Sequence, residues 1–81
     1  MPGVEGAHAL VPLIDLYTIV VIAAVIVSWL SLPPENPLVR LTRALTEPPL
    51  SLIRRVVPPI GGLDFSPMIL LILLSMLRGL L

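Results

Sequence analysis

Five arginines, five carboxylates and a single histidine carry nearly all the chemistry this 81-residue chain can offer. Five of these groups crowd into residues 40–55: Arg40, Arg43, Glu47, Arg54 and Arg55. Guanidinium groups grip phosphate and carboxylate through paired N–H donors, so the cluster is a candidate docking surface for an acidic partner or an anionic lipid headgroup. Four arginines stand at the lower edge of the usual lipid-recognition cluster of four to eight. Topological anchoring of a membrane loop is the plainer reading of the same residues.

Catalysis is harder to assemble. His8 stands alone, there is no cysteine, and neither a Ser–His nor a Cys–His constellation nor a glycine-rich phosphate loop is present. Metal sites need clustered ligands, and one histidine ahead of an apolar run reads as a solvated side chain. Haem held within a bilayer needs ligands on a span. Neither apolar run has a histidine, and Met68 and Met76 read as packing. Asp15 and Asp64 flank apolar segments, where dipole complementarity and capping account for them. The expectation is a non-enzyme with no catalytic, metal or cofactor site. Zero net charge gives no support for direct nucleic-acid binding.

The elements that must position these groups are set by where charge is missing. No residue is charged from Leu16 to Pro34, nor from Phe65 to Leu77. Hydrophobic residues make up 57% of the chain and mean hydropathy is +1.07. A soluble domain of this size buries only about two-thirds of its unfolded surface and could not hide so much apolar material. Lipid must cover the rest. A secretory signal peptide would need a basic start and a small-residue cleavage site. Residues 1–15 hold no Lys or Arg, and Trp29-Leu30-Ser31-Leu32 leads into Pro33-Pro34, so the first run reads as a retained anchor.

Ten prolines divide the chain at the ends of its apolar runs. Proline opens helices and breaks their interiors, which predicts a flexible tail over residues 1–11 and then helices over 12–32, 37–47, 49–57 and 67–81. The first is an apolar span opened by Pro12, with Asp15 in its first turn and Tyr17 and Trp29 as interfacial aromatics. The last has Ser66 as N-cap and Pro67 as first residue; its fifteen residues reach ~22 Å, short of the ~30 Å hydrocarbon core. Between the spans, Leu38, Leu41 and Leu45 oppose Arg40, Arg43 and Glu47, and Leu50, Ile53 and Val57 oppose Arg54 and Arg55. Such pieces lie in the headgroup plane. A Gly61-Gly62 turn over residues 60–64 redirects the chain toward the second span.

The fold class expected is therefore an all-α membrane protein: two transmembrane helices joined by a proline-segmented, amphipathic, interfacial helical hairpin, with residues 12–81 as one unit. The central loop holds four arginines against one on the flanks, and positive-inside puts residues 33–66 in the cytoplasm with both termini outside. Glu35, Glu47 and Asp64 share that loop, though acids count little in the rule. Ser28, Ser31 and Ser75 can hydrogen-bond within or between helices and Ala23-Ala24 permits close helix approach, so self-association or packing with other membrane helices is expected alongside the bilayer itself.

The chain resembles the YggT family of small integral membrane proteins, which includes the YlmG proteins. The residues that carry the resemblance are Asp15-Leu16-Tyr17, Ser28-Trp29, Asn36-Pro37, Thr46-Glu47-Pro48, Ile53-Arg54-Arg55, Pro58, Gly61-Gly62 and Asp64-Phe65-Ser66-Pro67. Two departures stand out: Ala24 where relatives often carry an arginine, and Leu52 where they often carry a proline. The resemblance implies a link to b-type cytochrome assembly, to cell or plastid division and nucleoid arrangement, or to osmotic tolerance. The function expected is a small inner-membrane scaffold or assembly factor; the alternative is an osmotic-stress-related transport subunit or a homo-oligomeric channel. Direct haem carriage is a third reading, without a histidine in either span to support it.

Overall fold

A computed structural model describes residues 4–81 of the chain. Four helices follow one another: α1 (Val4–His8), α2 (Val11–Trp29), α3 (Pro37–Val56) and α4 (Ser66–Leu80). Of the tail expected over residues 1–11, residues 1–3 lie outside the described residues, and the remainder holds α1 and a turn closed by Leu10 N–H donating to Ala7 C=O at 3.0 Å. The stretch Gly6–Trp29, 24 residues, is long and apolar enough to cross a membrane. Its most apolar window has a mean hydropathy of 2.6 and is only 11% buried. A core helix of a soluble protein would be covered by its own chain. α4 is apolar too, but its 15 residues fall short of the roughly 20 that a full crossing takes.

The two interfacial pieces expected from the prolines are one helix. α3 runs unbroken through Pro48 and Pro49, although those residues lack the N–H groups that would bond the carbonyls of Ala44 and Leu45. Tyr17 supplies a substitute: its hydroxyl donates to the Leu45 carbonyl at 2.8 Å. Packing on either side of the prolines holds the rest, since Thr46 and Leu50 are both buried. Tyr17 is thus tied into the helix packing rather than standing as an interfacial aromatic, whereas Trp29, 78% exposed, stands free. Asn36 opens α3 by accepting the Leu38 N–H at 2.9 Å, with Pro37 as the first helical residue. Pro58-Pro59 follow its end.

α3 shows three faces rather than two. Val39, Thr42, Thr46 and Leu50 are buried, but Leu38, Leu41, Leu45, Leu52 and Val56 are exposed. At about 100° per residue, the exposed apolar stripe lies roughly a third of a turn to one side of the buried stripe, and Arg40, Arg43, Glu47 and Arg54 roughly a third to the other. The leucine face expected to lie against the bilayer, Leu38, Leu41 and Leu45, is exposed, and a separate stripe packs against the other helices. Threonines can face the helices because their hydroxyls are spent locally: Thr42 Oγ1 donates to Leu38 C=O at 2.9 Å and Thr46 Oγ1 to Thr42 C=O at 2.7 Å.

The small core gathers where the helices meet, with Val21, Leu50 and Leu70 buried together and Tyr17, Ile53 and Leu74 packed around them. α3 thus packs against both α2 and α4. Ile60 and Leu63 exchange both backbone hydrogen bonds at 3.0 Å across Gly61 (φ +59°) and Gly62 (φ +80°). Two consecutive left-handed residues are what a two-residue hairpin turn demands, and glycine meets that at no steric cost.

Candidate functional site: a charged cleft between α2 and α3

Asp64, two residues before α4, organises the polar side of the molecule. Its Oδ1 accepts both the Ser66 N–H at 3.0 Å and the Ser66 hydroxyl at 2.6 Å. Ser66, expected to cap the helix, is instead its first residue, fully buried and itself capped by Asp64. The other oxygen, Oδ2, takes Arg54 Nε at 3.0 Å and Nη2 at 2.9 Å. Arg54 Nη1 reaches Glu47 Oε2 at 2.8 Å, two helical turns back along α3. One guanidinium therefore ties α3 to the start of α4 through two carboxylates. Partial burial alone would raise the Asp64 carboxyl, but the two Ser66 donors and Arg54 together hold it below the usual carboxylate range. Burial likewise pulls Arg54 down, and the two carboxylates more than reverse it.

These groups border a cleft of about 220 Å³ between the C-terminal half of α2 and α3. Ser28, Ser31, Thr42, Thr46 and Arg43 supply further polar lining, Val21, Val25 and Val39 an apolar floor, and Ala24 lies on the same wall. Ser28 Oγ bonds back to Val25 C=O at 2.6 Å. Ser31 sits just past the end of α2 with φ +53°, the left-handed turn that ends many helices.

The five expected docking residues thus separate. Glu47 and Arg54 pair with each other and, through Arg54, with Asp64 in a half-exposed network. Arg43 lines the cleft, and Arg40 and Arg55 are exposed on the outer surface of α3; none of these three forms an ion pair among the described residues. Two further links were missed by sequence reasoning. Asp15 does not sit in a first turn: it pairs with Arg78, Nε to Oδ1 at 2.6 Å and Nη2 to Oδ2 at 3.3 Å. The signal was a lone acid early in one apolar helix and a lone base late in another, which antiparallel packing brings together. Tyr17 was legible as the partner of the Pro48-Pro49 gap only once the two helices were known to touch.

A family model described as CCB3/YggT matches residues 6–81. The chain is 32% identical over 76 residues to YlmG homolog protein 2, chloroplastic, of Arabidopsis thaliana, covering 90% of this chain and 29% of that protein. It is 41% identical over 59 residues to the Escherichia coli protein YggT, covering 73% of this chain and 31% of that protein. The chain thus spans about a third of the length of the curated relatives it matches. No solved structure matches it. Tyr17, Glu47, Arg54, Asp64 and Ser66, which build the contacts above, all fall in the matched residues, and the chain belongs to the CCB3/YggT family.

Proposed function

We propose that this protein is a two-pass inner-membrane scaffold, an assembly or organising factor for membrane complexes, with residues 33–66 in the cytoplasm and both termini outside. The observation that carries the reading is the three-faced α3. One stripe binds α2 and α4, an apolar flank lies exposed at the level of the spans, and the opposite flank is charged. A helix so divided sits at a bilayer surface with its leucines in acyl chains and its arginines among headgroups. Arg40 and Arg55, exposed and without ion-pair partners among the described residues, are the groups left to dock a partner protein or anionic lipid. Family resemblance points to b-type cytochrome assembly or to division as the process served.

A homo-oligomeric channel or osmotic transport subunit has less support. A pore needs polar groups turned toward an aqueous path, and the hydroxyls of Thr18 and Ser28 are bonded to carbonyls of their own helix at 2.8 and 2.6 Å. The test is photo-crosslinking in native membranes from a probe at the exposed Ser51 of α3. A discrete adduct to another protein, lost on Arg40→Glu/Arg55→Glu, is the expected result. Adducts only to lipid or to a second copy, unchanged by that charge reversal, overturn the scaffold reading in favour of the oligomer.

A further inference from the structure

The cleft between α2 and α3 is lined by one unpaired charge, Arg43, and by a carboxylate with one oxygen to spare, Glu47. Arg43 makes neither an ion pair nor a side-chain hydrogen bond among the described residues, and Glu47 uses only Oε2, on Arg54, leaving Oε1 without a partner. The two residues are four apart on one helix face, the spacing at which Arg and Glu often pair. Glu47 pairs with Arg54 instead, so Arg43 and Glu47 both line the cleft without an ion pair between them.

We propose that this cleft binds the headgroup of a zwitterionic phospholipid bearing a primary ammonium, a phosphoethanolamine lipid. The phosphate binds Arg43, whose planar fork suits it. The ammonium donates to Glu47 Oε1. Charge balance selects the zwitterion: Arg43 and Arg54 are offset by Glu47 and Asp64, so an anionic headgroup would set uncompensated charge against Glu47. A choline headgroup carries no N–H to donate. The acyl chains have apolar surface to follow, because Ile22 and Ile26 are exposed on α2, the helix whose Val21 and Val25 line the cleft. The inference rests on the membrane placement proposed above, and not on any docking role of Arg40 or Arg55.

The test is native mass spectrometry of the delipidated full chain in detergent, titrated with dioleoyl phosphatidylethanolamine, phosphatidylglycerol and phosphatidylcholine. A charge-assisted hydrogen bond corresponds to about a tenfold preference for phosphatidylethanolamine over phosphatidylcholine. Glu47→Gln should erase that preference, Arg43→Gln should weaken all three lipids, and Arg40→Gln, outside the cleft, should change neither. Circular dichroism of each variant separates lost folding from lost binding, and Arg43→Gln touches no internal ion pair. Equal binding of the three lipids, a preference for phosphatidylglycerol, or equally strong competition by free phosphoethanolamine overturns the proposal. Because the protein enters the assay already extracted from membranes by detergent, such a failure leaves its membrane placement standing.

Discussion

Tyr17 and Leu45 illustrate how one side chain can license a sequence that its own helix forbids. Pro49 removes the donor for the Leu45 carbonyl, and the Tyr17 hydroxyl replaces it at 2.8 Å. Tyr17→Phe should therefore cost about 1 kcal/mol of stability, the net worth of one hydrogen bond. The sharper expectation is coupling: in a Pro49→Ala background the helix regains its own N–H, and Tyr17→Phe should become close to neutral. Reversible unfolding of the four proteins of that cycle in detergent measures it. Asp64 supports a second residue-scale expectation. Its carboxyl is held below the ordinary value of about 3.9, so it stabilises the folded state above that pH and ceases to do so as pH falls through its folded value. The unfolding midpoint should drop on acidification below about pH 4, and Asp64→Asn should flatten that response.

At the scale of elements, two chain reversals depend on left-handed residues. Ser31 takes φ +53° just after α2, where glycine would fit without its Cβ penalty. Ser31→Gly should raise stability by about 0.5–1 kcal/mol, and Ser31→Val should lower it, as read by the same unfolding assay. Gly62 at φ +80° has open space around it, so Gly62→Ala should cost only the conformational penalty of about 1–2 kcal/mol, with no clash. α3 shows where periodicity reaches its limit. Its leucines at 38, 41 and 45 do form one stripe, as the spacing predicted, but that stripe is exposed while Val39, Thr42 and Thr46 are covered. Under the proposed membrane placement, the most apolar face has no reason to turn inward. The helices choose the face that packs closely with its hydroxyls already satisfied.

For the whole molecule, ion pairs tie both ends of the helical assembly. Arg54 clasps Glu47 and Asp64 near the start of α4, and Arg78 clasps Asp15 near its end. If the second pair fixes the antiparallel register of α2 and α4, Asp15→Arg should loosen the assembly and the exchange Asp15→Arg/Arg78→Asp should restore it, as followed by hydrogen exchange of α4. Few large apolar side chains are buried, and most of α2 and α4 faces outward, so the chain by itself holds little of the core that a soluble protein of its size needs.

The amino-acid sequence by itself determined the two apolar helices and the Gly61-Gly62 turn, because uncharged runs, opening prolines and paired glycines act through local backbone physics, whereas the continuity of α3 through Pro48-Pro49 was not legible in it. It also determined the family, through motifs spread along the chain. What only the tertiary structure decided is which groups meet: Tyr17 with Leu45, Asp15 with Arg78, Arg54 with both Glu47 and Asp64, and hence which arginines have no ion-pair partner among the described residues. Those contacts join residues distant in the chain. Their partners are selected by helix register and packing, which no local pattern of charge or hydropathy specifies.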